Sequence, residues 1–211
     1  KDPKALKEAA KSWLRSPTDP AWGLLLGYPE CCVKAYIEWR SVAAKTDLIN
    51  FTFGRTREKE RLHFGLNNVF NYFSRLTGQP VDMEAFARIR AANKDLDISA
   101  LQVISWHPCA YDCAPSVKLA GEIFSFLSVH LPERAAELKE RLAKPVLFRD
   151  KYEYLVLYGS AKKGEVSYTG IAKPRGLLPK ALQDKIEAGN LIKFGKKIFT
   201  VCRGSRPINK I

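Results

Sequence analysis

The segment 152-YEYLVLYGS-160 decides the fold class of this chain, because it lies in a region where β-rich runs dominate. Aromatic and β-branched side chains are typical of strands, and alternation of apolar and polar residues supports the same interpretation. Four further runs of this kind surround it, namely 145-PVLF-148, 165-EVSYTGI-171, 191-LIKF-194 and 197-KIFTVCR-203. The last two are joined through Gly195, which predicts a hairpin. We therefore predict a small β-rich unit over residues 148–211, interrupted by one short helix at 179–189.

The first 147 residues have a different pattern, in which apolar residues recur three or four positions apart. That period predicts amphipathic helices, and prolines such as Pro29 and Pro115 mark where helices begin. The helices are predicted at about residues 3–14, 20–26, 29–45, 56–76, 82–94, 115–131 and 132–144. The chain is therefore expected to be an α+β protein, with a mostly helical body over residues 1–147 and the β-rich unit after it.

Positive charge is concentrated in the β-rich unit. The 211-residue chain has 35 Lys and Arg against 22 Asp and Glu, a net charge of +13, and residues 148–211 hold 14 of the basic and 5 of the acidic residues. A basic surface attracts polyanions, because contact with phosphates releases condensed counterions. The same charge could instead serve only to keep a lysine-rich surface soluble. No stretch approaches the roughly 20 apolar residues that span a bilayer, so we expect no membrane association and a cytoplasmic location.

RNA or tRNA is the partner expected of this basic unit. Its cations are interleaved with aromatic residues, a mixture that suits single-stranded nucleic acid, with cations on phosphates and rings on bases. The candidate contacts are Lys162, Lys163, Lys173, Arg175, Lys193, Lys196, Lys197, Arg203 and Arg206. Alternating strands place charge outside and aromatic rings inside in any case, so an ordinary solvated surface is the competing interpretation.

Four of the five cysteines lie in two short motifs, 28-YPECC-32 and 107-HPCAYDC-113. Both motifs stand at predicted helix starts, where unpaired backbone N–H groups and the helix dipole favour a thiolate. Two remote segments that each supply a pair of thiols predict one metal site, formed by Cys31, Cys32, Cys109 and Cys113. Adjacent cysteines seldom bind one Zn²⁺ comfortably, so an iron–sulfur cluster is the favoured cofactor, with zinc or no cofactor as the alternatives.

Other uses of these cysteines are consistent with the sequence. Disulfides could join the two segments or link Cys31 to Cys32, although such bonds are unusual in a reducing cytosol. The thiols could also pack as small apolar groups, or act as nucleophiles or redox groups without a metal. Cys202 lies in a β-rich run and is expected to be part of the core.

Three polar residues inside the cysteine motifs are candidates for catalysis. Asp112, Glu30 and His107 could move protons at a metal or thiol centre. Each residue also has a structural alternative. Asp112 could cap a turn, Glu30 could complement a helix N-terminus, and His107 could be satisfied by hydrogen bonds in the core.

The segments 27-GYPECC-32 and 107-HPCAYDCAPS-116 together resemble the signature of an archaeal family of proteins of unknown function, a GYP-x-CC motif followed by HPC-x3-C. The resemblance covers roughly residues 20–131 and implies no particular reaction. It implies that the motif residues form one site, and these are Tyr28, Pro29, Cys31, Cys32, His107, Pro108, Cys109 and Cys113. In its vicinal cysteines alone, the chain is also similar to cluster-containing enzymes that reduce or desulfurate RNA bases.

Two functions are consistent with these observations. The first is a metal or iron–sulfur protein that acts on RNA by redox or sulfur chemistry. The second is a nonenzymatic nucleic-acid-binding module in which zinc or disulfides only tie two helix starts together. The chain lacks a glycine-rich phosphate loop, an H-E-x-x-H motif and a G-x-S-x-G motif, which excludes several common enzyme classes.

Overall fold

The computed structural model describes residues 3–15, 20–43, 45–57, 62–70, 82–195 and 199–208. It confirms an α+β fold, in which helices precede a β-rich C-terminal part. The helices are α1 (Pro3–Arg15), α2 (Pro20–Leu25), α3 (Glu30–Val42), α4 (Leu48–Arg55), α5 (Met83–Ala92), α6 (Ala114–His130), α7 (Pro132–Leu142) and α8 (Lys180–Ala188). Within the described ranges, no helix has both the length and the apolar character needed to cross a membrane.

Among the residues that the structure describes, the strands form one antiparallel sheet of six, in which each strand pairs with the next along the chain. They are β1 (Val146–Phe148), β2 (Tyr154–Lys162), β3 (Glu165–Ala172), β4 (Leu191–Phe194), β5 (Phe199–Arg203) and β6 (Arg206–Pro207). The predicted hairpin is confirmed, since β4 pairs with β5 from Leu191 opposite Cys202 to Phe194 opposite Phe199.

Strand β2 separates two hydrophobic clusters, because its side chains alternate between the two faces of the sheet. Tyr154 and Val156 pack in the larger cluster with Trp39 and other residues of the helical body. Leu155 and Leu157 point the opposite way and pack with α8 in the smaller cluster. The helices and one face of the sheet therefore pack in the same hydrophobic cluster. The domain boundary between residues 147 and 148 stays a prediction.

The sequence predicted one helix over residues 56–76, and this is wrong for Thr56 and Arg57, which follow the end of α4, and for residues 62–70. That segment contains only a 3-10 turn, Phe64–Leu66. Two buried asparagines explain the difference, because their side chains bond to distant groups in place of a helical repeat. Asn67 donates to the last backbone carbonyl of α7, and Asn68 bonds to the second cysteine motif. The remaining positions 58–61 and 71–76 lie outside the described residues.

Helix α4 was not predicted from the sequence. Asp47 caps it, since Oδ1 accepts a hydrogen bond from the backbone N–H of Asn50 at 2.9 Å. The helix spans 8 residues, which is too short to display several turns of apolar periodicity. Its importance lies in its position, because Thr52 and Thr56 at its C-terminal end reach the second cysteine motif.

Candidate metal centre

The first cysteine motif forms the corner between α2 and α3. Gly27 follows α2 with a φ of 77°, a left-handed conformation that glycine adopts at little cost. Pro29 is the N-cap residue of α3, so Cys31 and Cys32 lie in the first helical turn. The Tyr28 ring packs on Trp106 with centroids 5.3 Å apart, which brings this corner against the second cysteine segment.

The second cysteine motif is a loop that ends where α6 begins, with Cys113 as the N-cap residue. The end of α4 holds this loop. Thr52 Oγ1 shares its one hydrogen between the carbonyl oxygens of Leu48 at 2.9 Å and Pro108 at 3.2 Å. Thr56 Oγ1 accepts from the backbone N–H of Tyr111 at 2.9 Å. These bonds fix the backbone on both sides of Cys109.

The sulfur atoms of Cys31, Cys32, Cys109 and Cys113 gather in one place, as the sequence predicted. All four lie within 4.8 Å of one another. The Cys31 sulfur is 3.9 Å from that of Cys32 and 3.6 Å from that of Cys113. The Cys32 and Cys113 sulfurs are 3.8 Å apart. Four thiols at this spacing could bind a metal ion.

The adjacent cysteines converge even though neighbouring side chains leave a helix roughly 100° apart. No disulfide is present among the five cysteines, all of which the structure describes. The shortest of the three sulfur separations above, 3.6 Å, is far longer than a disulfide bond of about 2.05 Å. Cys202 is buried in β5 outside the cluster, as expected. The cluster is thus an arrangement of four thiols within reach of one ion.

Cys32 is the most enclosed of the four cysteines, with 2% of its surface exposed. Its sulfur accepts a hydrogen bond from the backbone N–H of Cys109 at 3.2 Å and lies 3.1 Å from the Ser116 hydroxyl oxygen. Trp106 Nε1 donates to the same hydroxyl at 3.1 Å. An indole N–H can only donate, so the Ser116 oxygen accepts from it and its own hydrogen is available to Cys32. No role was predicted for Ser116, which follows the last cysteine of the second motif by three residues.

The ionisation of these thiols is coupled through hydrogen bonds. Hydrogen bonding with the thiols of Cys109 and Cys32 lowers the pKa of Cys113. The corresponding bonds to Cys109 and Cys113, together with burial, raise the pKa of Cys32. The pKa of Cys109 rises to about 12, chiefly through its bond to Cys113. A bound cation would favour the thiolate form of Cys32 and Cys109, whose pKa values are raised.

Two of the three candidate catalytic residues hold the second motif in place. Asp112 Oδ2 accepts a hydrogen bond from the backbone N–H of Arg57 at 2.9 Å. His107 is buried, and its Nδ1 lies 2.9 Å from the Asn68 side-chain nitrogen. An amide nitrogen only donates, so Nδ1 is the acceptor in this bond. The His107 contact supports its structural interpretation, and Asp112 joins the second motif to the residue that follows Thr56. The catalytic roles of both residues stay predictions.

Glu30, the third candidate, lies at the exposed start of α3. Its carboxylate forms an ion pair with Lys34 at 2.6 Å, one helical turn further on. The hydrogen bond and charge of Lys34 lower the pKa of Glu30. A carboxylate in the first helical turn also complements the helix dipole. Its role in proton transfer stays a prediction.

The candidate nucleic-acid contacts divide into groups with different surroundings. The exposed members are Lys162, Lys163, Lys193, Arg203 and Arg206. Lys173 forms an ion pair with Asp95 at 3.0 Å, and the backbone N–H of Arg175 donates to Asn93, so both hold the sheet to the segment that follows α5. Lys196 and Lys197 lie outside the described residues.

Comparison of the chain with protein-family models, with curated proteins and with solved structures found no match. The resemblance to the archaeal family therefore stays a prediction from the two motifs. The fold and the site define an α+β protein with a cluster of four cysteines that could hold a metal.

Proposed function

We propose that this chain is a metal-binding protein in which Cys31, Cys32, Cys109 and Cys113 hold one tetrahedral ion, with zinc as the preferred metal. The spacing of the sulfurs carries the proposal. Four sulfurs arranged tetrahedrally at a Zn–S distance of about 2.3 Å lie about 3.8 Å from one another. The separations of 3.6, 3.8 and 3.9 Å between three of the pairs are close to this value.

The surroundings of the sulfurs favour the charge that such a site carries. Zinc with four thiolates has two negative charges in excess. The first turns of α3 and α6 both face the cluster, and the partial positive charge of a helix N-terminus offsets negative charge nearby. The bonds from the Cys109 N–H and the Ser116 hydroxyl to Cys32 act in the same direction.

A site with four protein ligands leaves no position for a substrate, so the proposed role of the ion is structural. It would join α3 to the start of α6 across 82 residues of sequence, from Cys31 to Cys113. Closing a long loop restricts the unfolded chain and so stabilises the folded one. The ion would therefore fix the corner between α2 and α3 against the second motif.

An iron–sulfur cluster with redox or sulfur chemistry on RNA is the competing proposal. The exposed position of Cys31 favours it, because one ligand of the centre faces solvent. The sulfur spacing favours a single ion instead. Where four cysteines bind a four-iron cluster, each thiolate binds a different iron, which requires sulfurs further apart than around one ion.

Metal and sulfide analysis of protein purified without oxygen decides between these proposals. One zinc per chain, without acid-labile sulfide and without visible absorption, is the expected result. Iron together with sulfide, in a brown protein, would replace the zinc proposal with the cluster. Protein without any bound metal, and unable to take up zinc after reduction, would contradict both.

A further inference from the structure

We propose that the sheet binds single-stranded nucleic acid on the face that points away from α8, in the part that begins at Tyr158 of β2. This surface, called the outer sheet face, consists of Tyr158, Ser160, Lys162, Ser167 and Lys193. All five residues are exposed. The proposal is independent of which metal the cysteines hold.

The register of the strands places these residues on one side of the sheet. Directly paired residues of an antiparallel sheet point to the same face. Ser160 pairs with Ser167, and Lys162 pairs with Glu165, which pairs in turn with Lys193. The residues between them on β3 and β4 point the other way and pack in the cluster under α8.

An irregularity in the sheet separates this open face from the covered part. The register between β2 and β3 shifts after Tyr158, which leaves Thr169 as an extra residue on β3. On one side of the shift, Val156 and Ala172 are buried against the helical body. On the other side, the residues of the outer sheet face are exposed to solvent. A groove of about 520 Å³ lies there, and Tyr158, Ser167 and Thr169 are among the residues that line it.

The outer sheet face has the groups that recognise a single strand. Tyr158 is 49% exposed. Lys144 Nζ lies 5.2 Å from the ring centroid, so a cation already stands on one side of the ring. Aromatic rings stack on bases of any sequence, and hydroxyls such as those of Ser160 and Ser167 bond to phosphates and bases.

Charge complementarity identifies the partner as a polyanion. Among the ion pairs of the described residues, none includes Lys162 or Lys193. Glu165 lies between the two lysines in the register and reduces their charge without cancelling it. Residues 148–211 as a whole have 14 basic and 5 acidic residues. A duplex would offer phosphates but no free base for Tyr158, so the single strand is the better fit.

Fluorescence anisotropy of the metal-loaded full chain with short labelled single-stranded RNA and DNA tests this surface. We expect affinity for both strands that falls as salt rises. Replacing both Lys162 and Lys193 by Glu should weaken binding at least about tenfold and flatten the slope of log K against log salt by about 1.4, since each phosphate contact contributes about 0.7. Tyr158→Ala should weaken binding about tenfold through lost stacking, whereas Tyr158→Phe should bind like the wild type.

A second double variant, Lys180→Glu with Lys185→Glu, makes the same charge change on α8, on the opposite side of the sheet. It also removes the exposed ion pair between Lys180 and Asp184, a kind of pair that contributes little to stability. Its affinity should stay within about twofold of wild type, because charges beyond a Debye length are screened. Tighter binding of RNA than DNA would assign a contact to the 2′-hydroxyl, and equal binding would assign recognition to phosphates and bases. The proposal is overturned by absence of single-strand binding, by equal losses in the two double variants, or by wild-type affinity of Tyr158→Ala. Circular dichroism of each variant verifies that it is folded.

Discussion

Ser116 connects the aromatic core to the cysteine cluster, because its hydroxyl lies between the Trp106 indole and the Cys32 sulfur. The residue is completely buried, so water cannot take over its two bonds. Groups that bond to a metal ligand orient it and adjust its basicity, and their loss typically weakens metal binding. Ser116 is therefore a positioning residue for Cys32.

Ser116→Ala should lower zinc affinity about tenfold, because the Cys32 sulfur loses a hydrogen-bond donor. It should also lower the free energy of unfolding by about 1–2 kcal/mol, since the buried Trp106 N–H loses its hydrogen bond to the Ser116 hydroxyl. Competition with a chromogenic chelator measures the first effect, and urea unfolding measures the second. Ser128→Ala is the control, because Ser128 is exposed on the same helix and bonds only within it. Equal zinc affinities of the two variants would remove Ser116 from the centre.

Cys109→Ser should lose most of the bound metal, because a hydroxyl is a much weaker ligand for zinc than a thiolate. Cys202→Ala also removes a thiol, but from β5, and should keep the full metal content. Metal analysis of the two purified variants makes the comparison. A Cys109→Ser variant with the metal content of the wild type would show that Cys109 is not a ligand.

Helix α4 and the segment 62–70 hold the second cysteine motif from two directions. Thr52 and Thr56 of the first bond to its backbone, and Asn68 of the second bonds to the side chains of His107 and Tyr111. The second motif is thus a loop whose position is set by elements from elsewhere in the chain. This explains why the motif could be recognised in the sequence while its supports could not.

Asn68→Ala should destabilise the metal-loaded protein by about 2–3 kcal/mol, because the buried Tyr111 hydroxyl and His107 ring both lose a partner. Urea unfolding gives the free energy. Asn50→Ala serves as the comparison, since Asn50 is exposed and its side chain bonds only to the nearby cap residue Asp47. Asn50→Ala should lower the free energy of unfolding by only about 0.5 kcal/mol. Similar midpoints for the two variants would contradict the anchoring role of Asn68.

Patterns among neighbouring residues account for the helices and strands that could be predicted from the sequence. The proline-led starts of α3 and α6 and the β-rich runs of the sheet depend on neighbouring residues, so the sequence displayed them. The segment 62–70 has the apolar content of a helix, but Asn67 and Asn68 make tertiary bonds that replace it. Likewise, Lys173 and Lys162 are equivalent as cations in the sequence. Only the ion pair to Asp95 and the strand register distinguish them.

At the scale of the whole molecule, β2 contributes alternate side chains to the two hydrophobic clusters. Removing the helical body would expose Tyr154, Val156 and Ala172, all fully or almost fully buried. Exposing that much apolar surface is costly, so the sheet is not expected to remain folded alone. The change from helical to β-rich sequence near residue 147 therefore marks a change of secondary structure within a shared core.

Unfolding should accordingly occur in one transition. All four tryptophans, Trp13, Trp22, Trp39 and Trp106, precede residue 147, so tryptophan fluorescence reports only on the body. Its urea midpoint should coincide with that for loss of hydrogen-exchange protection in β3 and β5. Two separated midpoints would instead support independent domains divided between residues 147 and 148.

X-ray absorption spectroscopy at the edge of the bound metal, on protein purified without oxygen, tests the metal centre most directly. A single ion held by the four cysteines predicts a zinc spectrum with four sulfur scatterers at about 2.3 Å and no neighbouring metal. An iron spectrum with bridging sulfide and a second metal atom, or a zinc spectrum with fewer than four sulfurs, would contradict this centre.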